Sequence, residues 1–259
     1  MSVSTLIEPI TGKPGIFTLP GAANWMQGRT LYGGASALIA YTQAIRAFPG
    51  LPPLRAVQIG FVAPVGETVE LSAEIVRQGR NVTQLRSEIR CEGQLALTTF
   101  LLFAEPREAN AVHAATIPAD FPPPPEECEV MPTDRGPGFI ANNFELRRAQ
   151  DTSGPGAPVV RRWARLKDAS GLDPISELVL MGDVLPPGAM RAMRRQGPIS
   201  SINWSFNVLD TTPSTEGGWW VTENARQHAD DGYSSERLRL WNSAGKQMLD
   251  GMQSAAIFG

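Results

Sequence analysis

Histidine and cysteine are scarce in this chain of 259 residues, which has two of each. Cys91 and Cys128 lie far apart with no histidine nearby, which argues against a zinc site or a disulfide framework and suits a reducing cytosol. His113 is expected in a solvated linker, and His228 at a strand end beside Asp230-Asp231 reads as structural. Positive charge is not in excess. The formal net charge is -3, which leaves no electrostatic footprint for nucleic acid. No apolar run is long enough to span a membrane, and Met1-Ser2-Val3-Ser4-Thr5 lacks the basic and apolar regions of a signal peptide. A cytoplasmic location is the expectation, and the sequons at Asn81 and Asn203 are then chance matches. There is no Gly-x-Ser-x-Gly elbow, no Gly-x-Gly-x-x-Gly and no P-loop. Asp151-Thr152-Ser153-Gly154 resembles an aspartic-protease loop, but it occurs once and amid loop residues.

What is present fits a globular protein. Hydrophobic residues make up 42% and charged residues 19%, and the length allows one large domain or two small ones. An N-terminal arm leads to Trp25-Met26-Gln27-Gly28-Arg29-Thr30-Leu31-Tyr32-Gly33-Gly34. The spacing predicts a helix from Ala35 to Phe48, stopped by Pro49-Gly50. Strand patterns follow at 54–63, 68–77, 82–91 and 95–104, separated by turns that carry Gly66, Gly79 and Gly93. Residues 106–137 change character. Pro122 to Pro125 and the acidic Glu126-Glu127-Cys128-Glu129 read as an extended, solvated linker.

Beyond it, strand patterns are expected at 139–150 and 159–167, around the loop Ser153-Gly154-Pro155-Gly156. Asp173 is placed to cap a helix that opens at Pro174 and runs through Asp183 to Pro186-Pro187. Strands return at 201–209, 219–228, 234–241 and 247–258. Helix plus four strands therefore occurs twice. Gly93 and Gly245 occupy equivalent turns, as do Gly79 and Gly232. A repeat this long implies two domains of one type. Their expected extents are 1–105 and 138–259, joined by the linker.

Leu178-Val179-Leu180-Met181 precede Asp183 and Val184-Leu185 follow it. A carboxylate among such residues is costly to bury unless its charge is used or satisfied. Asp183 is therefore either a reactive group or a residue that faces solvent or caps a turn.

The duplicated order of a helix and a long antiparallel meander resembles tandem hot-dog proteins, and within them the acyl-CoA thioesterases of the thioesterase II type. Four stretches carry the resemblance: Gly28-Arg29-Thr30-Leu31-Tyr32-Gly33-Gly34, Phe61-Val62-Ala63-Pro64-Val65-Gly66, Val76-Arg77-Gln78-Gly79-Arg80-Asn81 and Gly182-Asp183-Val184-Leu185-Pro186. The resemblance implies an α+β fold of two fused hot-dog domains, each an antiparallel sheet wrapped around a central helix. It implies hydrolysis of a fatty acyl-CoA to free acid and CoA by Asp-activated water, with no cofactor and no metal. Asp183, Ser201 and Gln253 match the family's catalytic Asp, hydroxyl and Gln, with Ser200 as the alternative hydroxyl. This chain departs from the family pattern in having Ser where Thr is commoner and Pro186-Pro187 where one Pro is expected.

Asp183 in an apolar wall would be a stronger base. Ser201 and Gln253 could hold water in place. Gly33 and Gly34, at a helix N-terminus, either bind substrate as an oxyanion site or permit close packing. Arg29, Arg80 and the Arg191-Arg194-Arg195 cluster are candidates for the phosphates of CoA or are solvated charges. Hot-dog hydratases use a His with an acid partner, and neither His here lies in such a context. The expected partners are an acyl-CoA substrate and further copies of the chain as a homo-oligomer, with no nucleic acid and no membrane. The alternative function is a non-catalytic hot-dog protein that binds acyl-CoA as a sensor or scaffold.

Overall fold

The computed structural model describes residues 2–133, 136–150, 158–195 and 197–258. The Ser153–Gly156 loop and the Asp151-Thr152-Ser153-Gly154 motif lie outside the described residues. In chain order the elements are α1 (Val3–Ile7), β1 (Gly15–Thr18), β2 (Met26–Gln27), β3 (Thr30–Leu31), α2 (Gly33–Ala47), β4 (Leu54–Phe61), β5 (Thr68–Gln78), β6 (Val82–Cys91) and β7 (Gln94–Ala104). Then follow α3 (Gly138–Asn143), β8 (Phe144–Arg148), β9 (Val159–Leu166), α4 (Pro174–Met181), β10 (Ile199–Val208), β11 (Trp220–Asp230), β12 (Tyr233–Trp241) and β13 (Gln247–Ile257).

Eleven strands form one antiparallel sheet in the order β1-β5-β6-β7-β4-β10-β13-β12-β11-β9-β8. The repeat is visible in that order. Reading outward from the β4–β10 junction, β4-β7-β6-β5 is mirrored by β10-β13-β12-β11. The halves are joined by backbone pairing from Asn203↔Gly60 to Asn207↔Ala56. Both helices pack on one face of the sheet, in a core shared by the two halves. Helix α2 is buried from Gly34 to Ala44, on every side, as a mostly apolar helix between layers must be. Its Gly, Ala and Ser residues keep it slim enough for close approach.

Helix α4 starts as its sequence predicts. The Asp173 carboxylate accepts from the N–H groups of Ile175 and Ser176, both at 3.0 Å, and Pro174 takes the first helical position. It ends earlier than expected, at Met181, so Asp183 is not inside the helix. Gly182 runs so close to Trp204 that a Cβ would strike the indole ring. The Val184 N–H then turns back to the Met181 carbonyl at 3.2 Å, and the chain leaves the helical path.

Two further expectations need correction. Residues 138–143 form α3 rather than strand, because Asn143 donates back to the Phe139 carbonyl at 3.0 Å and across to the Asn24 carbonyl at 2.7 Å. The strand begins only at Phe144. The linker is not free in solvent along its length. Pro122 and Pro125 are buried, and Phe121 meets Trp163 and Trp241 edge-on at 6.0 and 6.5 Å. The Trp163 indole N–H donates to the Pro123 carbonyl at 3.0 Å. These contacts form a small second core on the sheet face away from the helices.

The Asp173 cap makes a stability prediction. Asp173→Ala is expected to cost about 1 kcal/mol. It should appear as a lower urea midpoint with an unchanged slope; an unchanged midpoint would show that the cap contributes nothing.

Candidate active site

Three side chains from separate elements meet at one point. Asp183 comes from the turn after α4, Ser201 from the start of β10 and Gln253 from the middle of β13. The Gln253 Nε2 donates to Asp183 Oδ1 at 3.0 Å and to Ser201 Oγ at 2.7 Å. Ser201 therefore accepts from Gln253, which leaves its own hydroxyl hydrogen free for another acceptor. Gln253 is buried, and its Oε1 has no partner among the described residues.

A bulge puts Ser201 there. The pairing of β10 with β13 slips between Ser201 and Asn203, so Ile202 is the extra residue. Without the slip, strand alternation would place Ser200 and Ile202 on the face of Trp204 and Gln253. With it, Ile202 and Ser200 are exposed and Ser201 turns inward. Of the two serines left open by the sequence, Ser201 is the one bonded to Gln253.

Asp183 is half-buried, and its open side is a cavity of about 680 Å³. On its other side is the backbone of α2. A Cβ on Gly33 would overlap Asp183 Oδ2. Burial pushes the Asp183 carboxyl up from 3.8 to about 7, and the hydrogen bond from Gln253 pulls against that rise. Gly33 lines the same cavity. At Gly34 a Cβ would strike the Leu180 carbonyl and the Tyr32 ring, so close packing alone demands glycine there. The Tyr32 hydroxyl donates to that carbonyl, so it ties the start of α2 to the end of α4. Burial holds the Tyr32 phenol well above its ordinary value, and the Asp183 charge pushes it the same way. Tyr32 also stacks on Phe139 at 4.3 Å.

The segment after Asp183 is pinned by two buried residues that the sequence reading missed. Asn224 Nδ2 donates to the carbonyls of Leu185 and Pro186 at 2.9 and 3.1 Å. The Glu236 carboxylate accepts from the N–H groups of Gly188 and Ala189 at 2.9 and 3.2 Å. One pattern could have revealed Glu236. It shares a strand face with Leu238 and Leu240, where an unpaired acid would be costly.

The rest of the cavity wall is largely apolar. Phe61 to Val65 supply one side, and Phe139, Ile140, Leu146 and Val160 another. Arg29 lines it from an exposed turn. Arg80 does not line it, nor do the exposed Arg194 and Arg195. Arg162, absent from the sequence-based candidates, does. Both histidines are exposed and outside it. Among the described residues no group of His, Cys, Asp or Glu is arranged to hold a metal ion.

Comparison with known proteins places this chain in a family. The acyl-CoA thioesterase N-terminal domain matches residues 22–104, and the acyl-CoA thioesterase C-terminal domain matches residues 125–257. A search of curated proteins finds no match. Among solved structures, a thioesterase II-type protein from Thermobifida fusca is 19% identical with a TM-score of 0.80, over 94% of this chain and 92% of that one. A hot-dog protein from Alicyclobacillus acidocaldarius is 16% identical with a TM-score of 0.82, over 96% and 97%. An acyl-CoA thioesterase II from Mycobacterium marinum is 16% identical with a TM-score of 0.71, over 88% and 89%. At these identities the structures show a shared hot-dog fold. The two domain matches show more: this chain belongs to the acyl-CoA thioesterase family and is a thioester hydrolase of two fused hot-dog domains.

Proposed function

We propose that this protein hydrolyses fatty acyl-CoA to the free acid and CoA, with water activated by Asp183. The observation that carries the reading is the Gln253 amide, which holds Asp183 and Ser201 together at the wall of an apolar cavity. A carboxyl with a pKa of about 7 is matched to general-base work near neutral pH. Water would give a proton to Asp183 while its oxygen attacks the thioester carbonyl carbon. The oxyanion so formed would take hydrogen bonds from the first N–H groups of α2, at Gly33, and from the Ser201 hydroxyl. The tetrahedral intermediate would then break its C–S bond, and the CoA thiolate would recover the proton from Asp183. Gln253 keeps the carboxylate and the hydroxyl in register throughout. A thiolate leaves readily, so no strong second acid is needed. The apolar walls suit an acyl chain. Among the described residues no helix is long and apolar enough to cross a membrane, and both cysteines are free. A cytoplasmic enzyme, associating with its own copies, is part of the same proposal.

Thiol release from acyl-CoA is the direct test. Asp183→Asn is expected to lower kcat by about 100-fold or more while acyl-CoA still binds. A wild-type protein that binds acyl-CoA and releases no thiol would instead make it a sensor or scaffold. The pH profile is a second check. The base works only when deprotonated, so kcat/KM should rise with pH and level off above about 7. A profile flat from pH 5 to 9 would rule out Asp183 as the base.

The same pKa predicts a stability difference. The folded protein keeps the Asp183 proton over a range where the unfolded chain has lost it, so its stabilising effect is full below about 4 and is lost as pH rises towards about 7. Asp183→Asn removes that dependence. The Tm of the variant minus that of wild type should therefore grow between those limits and stay constant above them. A constant difference across the range would show that burial does not perturb the carboxyl.

A further inference from the structure

Adjacent arginines on β9 are treated in opposite ways. Arg161 points to the sheet face away from the helices, where Glu223 at 2.5 Å and Asp120 at 2.9 Å neutralise it. Arg162 points to the other face. Its neighbours in alternation, Val160 and Ala164, are buried in the main core. An apolar residue would be the ordinary choice at 162. Instead a half-buried guanidinium lines the cavity that Asp183 lines.

That guanidinium has little to satisfy it. It donates to the Arg161 carbonyl at 2.6 Å, and no carboxylate pairs with it among the described residues. Its neighbourhood adds positive charge. Arg148 stands directly opposite on β8, where it also pairs with Glu129 at 2.7 Å. Arg191 is close enough to repel it and donates to the Val159 carbonyl at 2.9 Å. Burial, and then these two cations, pull Arg162 down to about 10, which leaves it charged at neutral pH. Opposite Arg162 on β11, the buried Thr222 hydroxyl also lacks a partner among the described residues. Like charges facing each other across a strand pair are destabilising, and a desolvated cation without a counter-charge is costly. The fold gains nothing evident from this arrangement.

We propose that Arg162, flanked by Arg148 and Arg191, is an anion subsite of the cavity and binds an oxyanion group of the thioester substrate. A guanidinium fork fits a phosphate or carboxylate through two parallel hydrogen bonds. Such a group is carried either by the phosphates of CoA or by a carboxylate at the far end of the acyl chain. The subsite takes its ligand class from the acyl-CoA reading of this cavity. It adds that part of the substrate's binding energy comes from charge, at a wall that otherwise selects only for apolar surface.

Titration calorimetry of the full chain separates the sources, with CoA, octanedioate and pantetheine as probes. Arg162→Gln should weaken at least one of the two anions tenfold or more, and Arg162→Lys should restore part of the loss. A loss confined to CoA assigns the subsite to phosphate; a loss confined to octanedioate assigns it to an acyl carboxylate. Pantetheine has neither group, so its affinity should be unchanged. Replacing the uncompensated cation with Arg162→Met should also leave Tm equal to wild type or higher. The proposal is overturned if Arg162→Gln holds both anions within twofold of wild type, if wild type binds neither, or if pantetheine falls in parallel. Because binding is read without turnover, a wild type that releases no thiol but loses CoA affinity with Arg162→Gln would refute the hydrolase mechanism and leave the subsite standing.

Discussion

The Asp183 carboxylate is packed against the Cα of Gly33, where the end of α4 meets the start of α2. Little else at the site is independent of that contact. Only a glycine leaves room for the carboxylate, and the close approach is part of the burial that raises its pKa. The approach is fixed from both sides. Tyr32 fastens the start of α2 to the Leu180 carbonyl, and Gly182 lets the end of α4 slide against Trp204. Because Gly33 and Asp183 belong to different halves of the chain, neither half can form this environment alone. The shared backbone pairing of β4 with β10 holds the two helix ends in register.

A base with a raised pKa is useful only if it stays where the carbonyl will be. Here the chain after Asp183 is held through its backbone. Asn224 takes two successive carbonyls and Glu236 two successive amides. Pro186 and Pro187 have no N–H to be satisfied in this stretch. The segment is thus irregular in shape, and buried side chains take two of its carbonyls and two of its amides, as buried backbone outside regular elements requires. Glu236 lies directly across from Gln253 on the neighbouring strand. The residue that bridges Asp183 and the one that anchors its loop therefore sit side by side on the same sheet face.

What the sequence discloses divides along physical lines. The α4 cap, the long strands of both halves and the two-fold pattern follow from local chemistry and periodicity, and the structure has them. Asp183 is a candidate already from its apolar neighbours, whereas Ser201 and Gln253 are candidates only through motif resemblance, and the convergence of the three is a matter of long-range geometry. The inward turn of Ser201 depends on a bulge at Ile202, which no propensity marks. The helix at Gly138–Asn143 is six residues long and is secured by contacts of Asn143 with the chain around Asn24. A segment that short carries too little periodicity to be distinguished from a strand. The linker's prolines suggest solvation by composition, and the aromatic face made by Trp163 and Trp241 holds the adjoining Phe121 and Cys128 instead. Arg162 reads locally as one of a pair of strand arginines. Only the register shows that it faces inward.

The duplication supplies a control for these assignments. Gln253 follows the turn glycine Gly245 as Leu101 follows Gly93. In the first half Leu101 pairs with Leu85 on one side and Val57 on the other. In the second, Gln253 pairs with Glu236 and Trp204 at the matching places. Leu85 and Leu101 are fully buried, so the fold is content with apolar side chains at both positions. Burying a leucine contributes roughly 1.5–3 kcal/mol. A buried amide or carboxyl returns far less once its desolvation is counted. The second half therefore forgoes core stability at Gln253 and Glu236 relative to its own twin. Packing cannot explain that choice, since the twin shows how the same sheet packs without it. What the polar pair secures instead is the position of one carboxylate and of the loop that carries it.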